Sequence, residues 1–136
     1  MIRKATEADI AAIVEMGRAF NAASRTPVEY DEEQAAEAAR GLIASPDGVV
    51  LISEKGMIGG AIAPAYFNTA WRMAVELFWW AEDRQGIRLL RAFEDWARER
   101  GANEVRMTTL ASIAGPERIL KRRGYSPAEI SYTRAI

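Results

Sequence analysis

Residues Ala74 to Leu110 constrain the fold of this chain more than any other stretch. They read as strand, tight turn, amphipathic helix, glycine stop and strand. Val75, Leu77 and Trp79 alternate with Glu76, Phe78 and Trp80, and both sets are largely apolar. That is the pattern of a strand covered on both faces. Ala81-Glu82-Asp83-Arg84-Gln85-Gly86 interrupts it. Ile87, Leu90, Phe93 and Ala97, with Leu89 and Trp96 beside them, then recur at the i, i+3 and i+4 spacing of one helix face. Gly101 stands where a left-handed residue ends a helix, and Val105, Met107 and Thr109 alternate again. A strand–helix–strand unit of this length requires two parallel strands joined by a right-handed crossover. The turn before the helix is where a phosphate-bearing ligand would sit, because helix N-terminal N–H groups point there.

The flanks read more simply. Ile2 to Ala5 suits a short strand, and Thr6 followed by Asp9 gives a capping-box-like start to a helix from about Glu7 to Ala22. Asn21 to Tyr30 reads as a loop. Asp31-Glu32-Glu33 opens a second helix, with acid at its positive end, that runs to about Ala44. Val49 to Glu54 and Met57 to Ala63 read as a hairpin turned at Lys55-Gly56. Gly59-Gly60 signals a bend or a close backbone approach. Pro64 to Ala70 reads as a connection, with Tyr66 and Phe67 packing. After the central unit, Gly115-Pro116-Glu117 starts a short helix that Gly124 ends, and Ile130, Tyr132 and Arg134 alternate as a final strand. The order is β-α-α-β-β-β-α-β-α-β.

Composition narrows the chemistry. The 136 residues suit one domain, and the net charge of −1 supplies no global field for nucleic acid or an anionic membrane. There is no cysteine, which excludes thiolate nucleophiles, disulfides and cysteine metal sites. There is no histidine, the commonest general base and metal ligand. Proton transfer at neutral pH therefore falls to Asp, Glu, Tyr, Lys or water. No apolar run approaches the ~20 residues that span a bilayer. The opening Met1 to Thr6 has no signal-peptide character, so a cytoplasmic location is the expectation.

Three phrases carry a family likeness: the opening Ile2-Arg3-Lys4-Ala5-Thr6-Glu7-Ala8-Asp9, the strand Glu76-Leu77-Phe78-Trp79-Trp80, and Lys121-Arg122-Arg123-Gly124-Tyr125. In this order and spacing, over nearly the whole chain, they resemble the GNAT superfamily of N-acetyltransferases. The likeness implies a three-layer α+β fold. Its mixed, mostly antiparallel twisted sheet would have about six strands with four helices, and strands four and five would splay apart. Acyl-CoA would lie in the splay, with acetyl-CoA the co-substrate, and an amine acceptor would approach from the other side. The pyrophosphate turn of the family reads Gln/Arg-x-x-Gly-x-Gly/Ala. Leu89-Leu90 puts Gly86 at its last position, Arg84 where the first glycine belongs, and Ala81 where Gln/Arg belongs. Glu82 and Asp83 add negative charge near the same place.

Candidate residues follow from that likeness. Glu76 matches a fourth-strand carboxylate that acts as general base, often through water; otherwise it is an outward or arginine-paired carboxylate, with Arg72 or Arg106 as partner. The family's general-acid tyrosine position is Leu120 here, so protonation of the leaving thiolate falls to Tyr125, Tyr132 or water, and Tyr125 is also a packing candidate. Backbone N–H groups near Trp80 and Ala81 would polarise the acyl oxygen. Arg84, Gln85, Gly86, Ile87 and Arg88 would hold the pyrophosphate, and Ser112 lies near a cofactor-contacting position. No metal site is expected. Arg118, Lys121, Arg122 and Arg123 form a basic cluster that would hold a CoA phosphate, meet an acidic partner or simply face solvent. The second reading is a scaffold without CoA chemistry that binds a protein partner. The outer edge of the last strand needs a cover, which a homodimer would supply.

Overall fold

The computed structural model describes residues 1–136. In chain order the elements are β1 (Arg3–Lys4), a 3-10 turn (Glu7–Asp9), α1 (Ile10–Ser24), α2 (Glu32–Ala44), β2 (Gly48–Ile52), β3 (Gly56–Ala65), β4 (Asn68–Ala81), α3 (Gly86–Glu99), β5 (Glu104–Arg106) and α4 (Ala114–Arg122). The sheet has five strands in the order β1-β2-β3-β4-β5. The first four form an antiparallel meander, and β5 lies parallel to β4. The right-handed crossover rule thus applies at one joint, through α3.

Helix ends follow local chemistry. The Thr6 N–H donates to the Asp9 carboxylate (2.8 Å), closing the capping box ahead of α1. The Asp31 carboxylate accepts the Gln34 N–H (3.0 Å) and caps α2. α1 runs on through Asn21 to Ser24, past the expected end, because Arg25 closes it in the left-handed conformation (φ 55°). Gly101 (φ +72°) and Gly124 (φ +89°) follow α3 and α4 as their periodicity demands.

Two apolar clusters sandwich the sheet. Val49, Leu51, Ile58 and Ala74 meet Leu89, Phe93, Trp96 and Ala97 of α3 on one face. Val50, Ile52 and Met57 meet Ile10, Ile13 and Ala39 of α1 and α2 on the other. β4 joins both layers by changing phase. Ala74 and Trp79 pack with the α3 cluster, whereas Phe78 and Trp80 pack with the α1/α2 cluster. Strict alternation would put Ala74, Phe78 and Trp80 on one face. The shift is a β-bulge: Gly60 pairs with Glu76 and Gly59 with Phe78, which leaves Leu77 as the extra residue. The paired glycines make room for it. A Cβ on Gly59 would lie 2.6 Å or less from the Phe78 ring, and one on Gly60 would press on the Val75 carbonyl oxygen and lie 2.7 Å from Phe93.

Three sequence expectations change. Pro64 to Ala70 is not a connection. β3 and β4 continue as a two-stranded arm turned at Tyr66-Phe67 alone. Beyond Ile62, whose N–H donates to the Asp47 carbonyl (2.8 Å), β3 has no partner on its β2 side, so a proline that lacks an N–H is tolerated there. The arm outruns both helical layers. Tyr66 and Phe67 are therefore 94% and 79% exposed rather than packed, and touch edge-to-face at 5.1 Å. The sheet also has five strands rather than about six, because residues 125–136 form no strand. The β5 ladder is three residues long and its outer edge stays unpaired, since alternation alone does not make a strand. The tail is instead tied by the Tyr125 hydroxyl to Glu94 and by Glu129 to Arg106 (3.2 Å).

Candidate active site

β4 and β5 pair at Met73 with Glu104, Ala74 with Val105 and Val75 with Arg106, and then part. Glu76 is the first residue beyond the last pair, and the bulge falls beside it, so β4 turns away from β5 at this point. The result is a fork. The Glu76 carboxylate spans it: Oε1 accepts the Thr108 N–H at 2.9 Å. Glu76 is 6% exposed and no cation neutralises it. Arg72 reaches Asp47 (3.4 Å), and Arg106 reaches Glu104 (3.5 Å) and Glu129. The arginine-paired alternative is thereby removed. Burial raises the carboxyl pKa to about 7 against the opposing pull of the Thr108 N–H. A carboxyl that titrates near neutrality accepts and releases protons where histidine normally would.

The two tryptophans after the bulge hold different parts of the fork. The Trp79 indole N–H donates to the Gly86 carbonyl oxygen (3.0 Å) and ties β4 to the start of α3. Trp80 stacks on Phe20 of α1 at 5.6 Å and 12°, and its indole nitrogen is buried without a partner. The Trp80 side chain is thus committed to α1, and its register opposite Met57, two residues before the bond from the Glu82 N–H to the Lys55 carbonyl, turns its own N–H toward β3.

The turn between β4 and α3 is shaped without the glycine expected at its centre. Arg84 occupies the left-handed region itself (φ 61°), in keeping with its place at a glycine position of the family turn. Gln85 is the N-cap, and the first helical bond runs from the Leu89 N–H to the Gln85 carbonyl (2.8 Å). The amides of Gly86, Ile87 and Arg88 have no intrahelical partner. Gly86 needs to be glycine for no internal reason, since a Cβ there would sit 3.7 Å from Ala81 and 3.8 Å from Trp79, in ordinary contact. Arg84 and Arg88 are exposed and make no ion pair. The negative charge of Asp83 does not face this opening: its carboxylate is turned inward, onto Ser53, Lys55 and Gln85.

The remaining candidates lie elsewhere. The Tyr125 hydroxyl donates to Glu94 of α3 (2.8 Å), and burial, with Glu94 beside it, pushes its pKa up. The same Glu94 carboxylate receives Arg123. Sequence reasoning missed Glu94 because it is one acid on a charged helix surface, and only the end of α4 covers it. Ser112 is exposed in the turn before α4. Lys121 pairs with Glu117 (3.0 Å), whereas Arg118 and Arg122 are exposed and unpaired, so the basic cluster is divided between solvent and the Glu94 network.

The decisive comparison is with solved structures. A Clostridium acetobutylicum protein described as an acetyltransferase and crystallised with acetyl-CoA superposes over 99% of this chain and 95% of its own, with a TM-score of 0.79 at 15% identity. The fold is that of the GNAT acetyltransferases. A ribosomal-protein-alanine N-acetyltransferase from Brucella melitensis matches the whole of this chain and 99% of its own, with a TM-score of 0.71 at 14% identity. A transcriptional regulator from Bacillus halodurans, with 100% and 99% covered, has a TM-score of 0.77 at 17% identity. No protein-family model and no curated protein matches the sequence. In GNAT terms, the fork is the parting of the fourth and fifth strands, and the Arg84–Arg88 turn is the one after strand four. No helix is long and apolar enough to cross a membrane.

Proposed function

We propose that this chain is an N-acetyltransferase that moves an acetyl group from acetyl-CoA directly to an amine. The observation that carries the reading is the buried, unpaired Glu76 at the mouth of the fork, with a pKa of about 7. Acetyl-CoA supplies a thioester carbonyl as the acyl donor. The chain's part is proton handling and binding. Glu76 takes the proton released as the amine nitrogen becomes acylated, directly or through one water. The thiolate set free when the C–S bond breaks is protonated by Tyr125, Tyr132 or water. The backbone N–H of Ala81, which the alternation of the ladder turns away from β3, would polarise the acyl oxygen. The amides of Gly86, Ile87 and Arg88, the open face left by Gly86, and the Arg84 and Arg88 side chains suit a pyrophosphate.

The test has two steps. Acetyl-CoA at ~100 times its dissociation constant stabilises a native protein by ~2.7 kcal/mol, which raises the melting temperature of a domain this size by roughly 6–12 °C. In an acceptor screen, Glu76→Gln then lowers turnover ~10²–10⁴-fold and removes a rising limb near pH 7 from the rate profile. A wild-type chain that millimolar acetyl-CoA does not stabilise sinks the proposal.

That outcome would favour a second reading, a GNAT-fold module that binds a protein partner without CoA. The observations on its side are Arg84 at a glycine position, Ala81 at the Gln/Arg position and an acidic residue within the turn.

A further inference from the structure

Asp83 is the one side chain that binds both walls of the turn. Its Oδ2 accepts the Ser53 hydroxyl (2.6 Å) and the Lys55 N–H (2.8 Å) from the β2–β3 hairpin. Its Oδ1 accepts the N–H of Gln85, the N-cap of α3 (3.2 Å). The Glu82 N–H donates to the Lys55 carbonyl (2.9 Å) alongside, and Ser53 is buried. A GNAT-type turn with glycine at its centre adopts the left-handed step at little cost. Here a non-glycine residue, Arg84, is held in that step immediately after Asp83. The carboxylate spends its charge on three internal donors, so it repels an incoming anion less than its position in the sequence implies. Desolvation opposes its ionisation, but the Ser53, Lys55 and Gln85 donors keep its pKa below the ordinary value.

We propose that Asp83 is the positioning residue of this turn. By bridging the β2–β3 hairpin to Gln85 it holds Arg84 in the left-handed conformation and aims the Gly86, Ile87 and Arg88 amides outward, doing through a side chain what the missing glycine does through the backbone. The anion it serves is the pyrophosphate of acetyl-CoA, so the inference rests on the acetyltransferase reading.

Amide hydrogen exchange on the ligand-free chain, followed by acetyl-CoA titration, tests it. In Asp83→Ala the amides of Lys55 and Gln85 exchange about tenfold faster, while those in the middle of α1 and α2 keep their protection. Acetyl-CoA binds about tenfold to a hundredfold more weakly, and the loss falls on KM rather than kcat. Asp83→Asn, which keeps one acceptor oxygen, lies between Asp83→Ala and wild type. Ser53→Ala removes a single bond and shifts both readouts the same way by a fewfold, which covers the case of an Asp83→Ala that does not fold. Unchanged exchange at Lys55 and Gln85 overturns the inference. So does tighter acetyl-CoA binding by Asp83→Ala, since the carboxylate would then be competing with the phosphate. Faster exchange in Asp83→Ala together with a wild-type chain that does not bind acetyl-CoA upholds the turn geometry and fells the acetyltransferase reading instead.

Discussion

Replacing Glu76 by Gln should make the protein more stable, by an amount that grows as pH rises above about 4.5. The carboxyl is 6% exposed, its single partner is the Thr108 N–H, and its pKa stands at about 7 against an ordinary 4.5. A folded-state pKa above the unfolded one means that the native state holds the proton more tightly. The contribution to stability is therefore full below about pH 4.5, falls as the unfolded chain ionises first, and is gone above about pH 8. The interval corresponds to roughly 3 kcal/mol. Gln keeps an acceptor for Thr108 and never ionises, so it does not suffer this loss. Melting curves of both proteins from pH 4 to pH 9 should start close together and separate by roughly 10 °C at the alkaline end, with Glu76→Gln the higher. Subtracting one curve from the other cancels the other carboxylates. A separation that does not change with pH would refute the argument, because Glu76 would then ionise equally well in the folded and unfolded chain. The assay needs no substrate, so it tests the physical basis of the proposed base separately from the reaction.

Gly60→Ala forces a Cβ against the Val75 carbonyl and within 2.7 Å of Phe93, so urea denaturation should show a loss of about 1–3 kcal/mol. Gly41→Ala, a helix position with nothing within 4 Å, should gain about 0.5–1 kcal/mol and serves as the control. Arg84→Gly relieves the left-handed strain at φ 61° and should stabilise by roughly 0.5–1 kcal/mol, whereas Arg84→Val should lower the urea midpoint. Tyr125→Phe removes the hydroxyl that donates to Glu94 and should cost about 1–2 kcal/mol by the same assay. If Tyr125 also protonates the thiolate, kcat falls at least tenfold in the same variant; a change within twofold would assign the hydroxyl to the Glu94 network alone.

The central strand–helix–strand unit was legible because its signals are local: a two-residue period, then an i, i+3, i+4 period, then Gly101 in the left-handed conformation. The change of phase in β4 was not. An extra residue such as Leu77 leaves no mark in its own strand, and the only trace is Gly59-Gly60 across the ladder, which the sequence flags as a close approach without saying what approaches. Glu76 could be named from its place in a family-like phrase. Its isolation from Arg72 and Arg106 depends on where Asp47, Glu104 and Glu129 fall in space, which no spacing encodes. Asp83 reads in sequence as a charge in the way of an anion. Only the fold brings Ser53 and Lys55, about thirty residues earlier, onto its oxygens. The final strand failed in the opposite way: Ile130, Tyr132 and Arg134 alternate correctly, yet the segment pairs with no strand and the outer edge of β5 stays free.

The three-pair ladder between β4 and β5 also has a kinetic consequence. Contacts of the β2–β3–β4 hairpins join neighbours in sequence and form early, whereas β5 reaches β4 only after α3 has folded back, so this seam forms after them. An element held by few pairs is also among the first to open from the native state. The seam that carries Glu76 at its tip is therefore among the parts of the sheet that open most readily, beside the two-pair ladder of β1. A ligand wider than the fork would gain entry at the cost of three ladder pairs instead of the whole fold.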